Sequence, residues 1–300
     1  MSADAGSSGP PAFRARDLSF RYPGAPSPAV VDVDLTVPKG SFYGVIGPNG
    51  SGKTTLLRLL LGTLTPGAGR ITFAGRSLEG RDRRELARRI GVVPQSETVP
   101  FPLTVRDLVA MGRYPHLGAW RSEGEADRTA VRRALARCRL EGFEGRLLET
   151  LSGGEAQLAR VARALAQEPE VLVLDEPAAS LDLRHEMEIY RLLRRLVSDR
   201  AVTVLVVTHH LNVAARFADR LLLLDRGGAA AEGEPGAVLR REIVTSVYDW
   251  PVRIVEHPGP GPDEGAPQIV PLSSPPGATG ADPVNRRSEP SSTPCEEDPA

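Results

Sequence analysis

Along residues 12–22 and 29–37 apolar and polar positions alternate, the period of half-buried strands. Residues 41–46 predict a further strand, stopped by Gly-Pro-Asn-Gly. From 54 to 62 the spacing turns helical, ends on glycine and runs into a turn at 66–69. A short strand is predicted at 71–74, a helix at 81–89, and a strand at 90–93 that Pro94 ends. The middle of the chain changes texture: 105–112, 125–139 and 154–167 have helical periodicity and no strand pattern intervenes. Beyond Pro169 strand and helix alternate again, with strands at 171–174, 202–207 and 220–224 and helices at 182–197 and 211–217. Apolar runs this continuous suit central parallel strands covered on both faces. The pattern therefore predicts an α/β sheet interrupted by an all-helical insertion at about 100–168.

The ends read differently. Residues 1–11 are small, polar and proline-ended, which predicts a flexible arm. Residues 252–255 and 268–271 predict the strands of a small terminal hairpin (252–271) around a Pro/Gly-rich loop. From 273 to 300 six of 28 residues are proline and apolar side chains almost vanish, so this tail is expected to be disordered. The main domain then spans 12–272.

Composition removes several classes. The longest apolar runs fall far short of the ~20 residues of a membrane span, and the start lacks the basic and apolar segments of a signal peptide. Cys138 and Cys295 make no disulfide framework or metal spacing. With 37 basic and 38 acidic residues, split as +2 over 1–272 and −3 over the tail, nothing points to a nucleic-acid partner. The arginine clusters at 81–89 and 132–139 have helical spacing and read as solvated faces. Lys39 and Lys53 are the only lysines against 35 arginines, so a lysine inside a motif is informative.

Lys53 lies in such a motif. Gly47, Pro48, Asn49, Gly50, Ser51, Gly52, Lys53 and Thr54 match the phosphate-loop pattern G-x-x-x-x-G-K-[ST], between a strand and a helix. Glycines let backbone N–H groups and the helix start face an anion. Lys53 would bridge the β- and γ-phosphates, with Thr54 on Mg²⁺ and Thr55 beside it in the nucleotide site. At the end of the apolar strand 171–174, Asp175 would hold Mg²⁺ and Glu176 would act as general base on the attacking water. Leu151 is followed by Ser152, Gly153, Gly154 and Glu155 at the start of the helix 154–167. This is both a capping box and a second anion-binding helix start.

With Leu-Ser-Gly-Gly-Glu in this place, the chain resembles the ATP-binding subunits of ABC transporters over about residues 12–272. The resemblance implies a P-loop NTPase core of mostly parallel sheet, an N-terminal antiparallel β-subdomain and an inserted all-helical subdomain. Gln95 corresponds to the Q-loop glutamine that senses Mg²⁺ and the γ-phosphate, Asp182 to the D-loop, His209 to the γ-phosphate-sensing histidine, and Tyr22 to the ring that stacks on adenine. It further implies that a second copy packs head-to-tail, that the signature acts in trans on its ATP, and that the dimer drives an integral-membrane permease. A substrate-binding protein then takes part indirectly, and the chain sits peripherally on the cytoplasmic face of the membrane.

Three stretches (103–115, 180–185 and 209–219) and the terminal hairpin are similar to one branch, the ATPases of ferric-siderophore, haem and cobalamin importers. The chain departs from that branch at Ala156 and Leu158, where arginines are frequent, and at His210, where aspartate is usual. Another transporter class, such as a metal-ion, amino-acid or exporter cassette, shares the same catalytic motifs. A non-transport ABC ATPase fits less well, because only 55 residues separate Gln95 from Leu151 and a single cassette is present.

Two further expectations follow. His209 sits at a strand edge, where a neutral imidazole would donate to the γ-phosphate, while His210 at a helix start suits a neutral capping role. Replacing His210 by Asp is then expected to be close to neutral. The segment 96–117, with Phe101, Leu103, Val105, Leu108 and Met111, carries apolar surface expected to dock the permease.

Overall fold

Alternation of buried and exposed residues builds the first sheet. Strand β1 (Phe13–Phe20) buries Phe13, Ala15 and Leu18 and pairs antiparallel with β2 (Val30–Val37). Strand β3 (Phe42–Ile46) leaves for a second sheet and is followed by helix α1 (Lys53–Leu60). The chain returns through β4 (Ala68–Phe73) and the two-residue β5 (Arg76–Ser77), giving the order β2-β1-β4-β5. The computed structural model describes residues 9–95, 97, 101–117, 123–179, 181–199 and 202–273. The greater part of the expected arm (1–8), the tail beyond 273 and Ser180 lie outside the described residues.

Helix α2 (Arg83–Arg89), capped by the Asp82 side chain, leads into β6 (Ile90–Val93). The insertion follows as α3 (Val105–Ala110), α4 (Glu125–Arg137) and α5 (Gly153–Ala166). Its seam is a buried ion pair: Arg113 donates to Asp127 at 2.9 Å and to the Ala166 carbonyl at 2.7 Å. Then come β7 (Val171–Asp175), α6 (Leu183–Ser198), β8 (Thr203–Val207), α7 (Leu211–Phe217) and β9 (Arg220–Asp225).

The second sheet runs β9-β3-β8-β7-β6, all parallel. The middles of its strands are apolar because each face is covered. In β3, Phe42 and Ile46 join the core on the helical side, whereas Tyr43 and Val45 join the core shared with the first sheet. Strand β8 obeys the same rule: Val204 and Val206 join the helical-side core, Leu205 and Val207 the other.

Besides the two-residue β5, three elements lie where the sequence pattern predicts none. Strand β10 (Gly228–Gly233) adds an antiparallel edge to β9. It contains no β-branched or aromatic residue, so its neighbour and not its propensity makes it a strand. Helices α8 (Pro235–Val238) and α9 (Arg241–Tyr248) follow. The β-branched run in α9 hides a helical face on which Val244 is buried. Strands β11 (Val252–Glu256) and β12 (Pro267–Pro271) form an antiparallel hairpin. It docks on α7, where Asn212 accepts from Ile269 N–H at 2.7 Å and donates to its carbonyl at 3.2 Å. Among the described residues no helix is long and apolar enough to cross a membrane.

Candidate nucleotide site

Residues 47–52 wrap between β3 and α1 under tight local constraints. Gly52 is the N-cap of α1 with φ 100°, and a Cβ there would collide with the Ala29 carbonyl. Gly47 has φ 150°, and its Cβ would run into the Leu224 carbonyl and Ser51 Oγ. The loop is held from outside by Gly227, whose N–H donates to the Ser51 carbonyl at 3.1 Å. Helix α1 has no side-chain cap and no acidic residue in its first turn, so its positive end is open to an anion. Lys53 is buried and its Nζ donates to the Gly47 and Pro48 carbonyls at 2.8 and 2.9 Å. Burial lowers its pKa, against the opposing pull of Glu176 and Asp175. Tyr22 enters from the first sheet; its hydroxyl lies 3.3 Å from Thr55 Oγ1, and its ring stands edge-on to Phe20.

The parallel register gathers the remaining candidates. Val45 aligns with Val207, Val207 with Asp175, and Val93 with Leu174. The C-terminal ends of β3, β8, β7 and β6 therefore share one edge, the place where open α/β sheets bind ligands. Gly47, His209, Asp175, Glu176 and Gln95 are all delivered there, with Gln95 exposed after Pro94. Asp175 is raised in pKa, first by burial and then by the charge of Glu176. Thr54 Oγ1 lies 3.5 Å from its Oδ2. Glu176 adopts φ 49°, a left-handed backbone uncommon outside glycine and one that collects at functional sites. Its N–H donates to the Val207 carbonyl at 2.9 Å, and its Oε2 lies 2.7 Å from His209 Nδ1.

That contact engages His209 Nδ1 and leaves Nε2 as the ring nitrogen open to a phosphate. The capping role expected of His210 is wrong. It occupies the N-cap of α7, but its side chain makes no cap bond and Nδ1 pairs with Glu186 Oε1 at 2.6 Å. Sequence reasoning missed Glu186; a glutamate four residues after Asp182 looks like an ordinary helix position until β8 brings His210 to it.

The signature residues lie away from the loop, at the start of α5. Ser152 accepts from Glu155 N–H at 3.3 Å and Glu155 accepts from Ser152 N–H at 2.8 Å, the reciprocal capping box. Ser152 and Gly153 are exposed, while Gly154 is covered by the His185 ring so closely that a Cβ would strike it. Asp182 caps α6 and accepts from the backbone and Nδ1 of His185 at 2.9 and 2.8 Å.

The family model for the ABC transporter matches residues 30–179. The chain is 43 % identical over 252 residues to the hemin import ATP-binding protein HmuV of Nocardia farcinica, covering 83 % of this chain and 86 % of that one. The chain belongs to the ABC transporter family. This ABC ATPase is also 37 % identical to the ferric enterobactin transport ATP-binding protein FepC of Escherichia coli, over 80 % of this chain and 88 % of that protein. Among solved structures, a proposed metal-chelate type ABC transporter in an inward-facing conformation matches with TM-score 0.76 and 30 % identity, over 87 % of this chain and 98 % of that one. A dimeric bacterial ABC transporter cassette matches with TM-score 0.65 and 30 % identity, over 74 % and 98 %.

The ABC ATPase binds ATP with Mg²⁺, and the site fits both. Ser51 Oγ and Asp175 Oδ1 are buried with no hydrogen-bond partner, one on the loop and one beside Thr54. A cation held by Thr54 and Asp175 oxygens, with phosphate and water completing its shell, would satisfy Asp175. Among the described residues no group of three or more His, Cys, Asp or Glu could hold a metal ion.

Proposed function

We propose that this ABC ATPase hydrolyses ATP in a head-to-tail dimer and powers uptake of a metal chelate through a membrane permease. The cargo is an iron-siderophore, haem or cobalamin-type chelate, handed to the permease by a substrate-binding protein, with the ATPase on the cytoplasmic face. The observation that carries the hydrolytic reading is the convergence of Lys53, Asp175, Glu176 and His209 on one strand edge. The names of its relatives support the cargo class.

In this reading Lys53 leaves the loop carbonyls for the β- and γ-phosphates, Tyr22 stacks on adenine, and the N–H groups of residues 50–55 hold the phosphate oxygens. Mg²⁺, when bound, neutralises phosphate charge. Glu176 accepts the proton of the attacking water as its oxygen bonds to the γ-phosphorus and the β–γ bridge breaks toward ADP. His209 keeps its Nδ1 proton on Glu176 and turns Nε2 to the γ-phosphate. Gln95 reports the γ-phosphate to the insertion that follows it.

For the permease, we infer a narrower surface than the segment 96–117. Val105 and Leu108 are core of the insertion, at 0 % and 1 % exposure, so they are removed from the docking set. Phe101, at 54 % exposure, stays in the set, and Tyr114, at 62 %, joins it. Radiolabelled uptake in cells lacking their own chelate ATPase, supplied with this chain and its permease, tests the reading with ferric siderophore, haem and cobalamin in parallel. Uptake of none of the three, with turnover intact, would assign the ATPase to another transporter class.

A further inference from the structure

Glu186 is buried in the first turn of α6, at 8 % exposure, and a buried carboxylate is costly without a partner. Its Oε1 is met by His210 Nδ1 at 2.6 Å. The His210 ring in turn abuts the His209 ring edge to face, with centroids 4.3 Å apart and planes at 85°. His209 reaches Glu176 at 2.7 Å but its side chain is 49 % exposed. A half-exposed imidazole with one hydrogen bond has little else to stop its rotation. The turn itself is anchored, since His210 N–H donates to Thr208 Oγ1 at 3.1 Å and Thr208 N–H to the Val45 carbonyl at 3.0 Å. Four side chains therefore run in line from the root of α6 to the candidate base: Glu186, His210, His209, Glu176.

We propose that Glu186 and His210 are a positioning pair for hydrolysis. The buried carboxylate fixes the His210 ring, and that ring backs His209 so that Nδ1 stays on Glu176 and Nε2 is left for substrate. Neither member touches the nucleotide. The pair rests on the reading of His209 and Glu176 as the hydrolytic groups. It reverses the expectation that Asp at 210 is neutral, because His210→Asp would set two carboxylates against each other where a donor and an acceptor now meet.

The test is rescue by the conservative partner. Glu186→Ala leaves the His210 ring unheld and is expected to lower kcat by about 10- to 100-fold, the scale of a misplaced catalytic group, with KM for ATP within about 3-fold. Glu186→Gln keeps an acceptor oxygen for His210 Nδ1 and should hold kcat within about 3-fold of the parent. His210→Asp removes the ring together with the donor and should show the same loss, which covers the case in which Glu186→Ala does not fold. Nitrogen-15 spectra of the imidazoles should show a proton on His209 Nδ1 in the parent and in Glu186→Gln, and a shifted signal in Glu186→Ala. Full turnover in Glu186→Ala or His210→Asp, Glu186→Gln as slow as Glu186→Ala, or a His209 signal that ignores them all would each overturn the pair. His209→Ala, run alongside, tests the underlying reading: its full activity would remove His209 from hydrolysis, while the spectra still decide whether Glu186 and His210 orient the ring.

Discussion

Glu176 and His209 are 33 positions apart and meet because β7 and β8 are neighbours whose last residues lie side by side. Glu176→Gln keeps the shape and the acceptor oxygen but cannot take a proton. Turnover should fall by about 10²- to 10⁴-fold with nucleotide affinity unchanged, as single-turnover hydrolysis and fluorescent-nucleotide titration would read. His209→Ala should cost at least ~10²-fold in kcat, the scale of one lost transition-state donor. At this scale the sequence was most legible where chemistry is local. The loop 47–54 is one continuous string, and Ser152 with Glu155 is another. The partner of His209, and the Glu186–His210 pair, depend on strand adjacency and on helix α6 folding back, which no short string records.

Between elements, contacts decide what propensity does not. The α5 start tolerates only glycine at 154 because the His185 ring of α6 lies against it. Gly154→Ala should therefore lower stability by about 1–2 kcal/mol despite alanine's better helix propensity, and His185→Ala in the same chain should recover most of it. Denaturant midpoints of the two single and the double variant would show this non-additivity. The junction of β6 and β7 offers a pH test. Arg89 donates to Glu170 at 2.7 and 2.9 Å, and this hydrogen bonding holds the Glu170 pKa below its ordinary 4.5. A carboxylate depressed in the folded state adds stability above its unfolded pKa and loses it as pH falls through the folded one. Glu170→Gln should cost about 0.5 kcal/mol at pH 7 and progressively less as pH falls through the folded-state pKa, a small effect because the pair is partly exposed. The strand–helix alternation and the helical insertion were legible from period and run length. Strand β10 and helix α9 were not, since one lacks strand formers and the other is full of them.

For the whole molecule, the decisive feature is that one chain carries two glycine-led helix starts on different elements, α1 uncapped at Lys53 and α5 closed by its own Ser152–Glu155 box at Gly153. A signature used by its own loop and one used by a second copy make opposite predictions for Gly153→Asp. A new carboxylate at the first residue of α5 favours the helix itself, because it sits at the positive end of the dipole, so the fold should not suffer. It would, however, face the γ-phosphate of the partner's ATP. In the Glu176→Gln background, which stalls hydrolysis, ATP with Mg²⁺ should produce a stable dimer by light scattering. Adding Gly153→Asp should leave a monomer that binds ATP within about 3-fold of the parent, since only the shared site gains the repulsion. If that variant instead lost ATP affinity as an isolated monomer, the signature would be serving its own chain's nucleotide and the head-to-tail arrangement would be wrong.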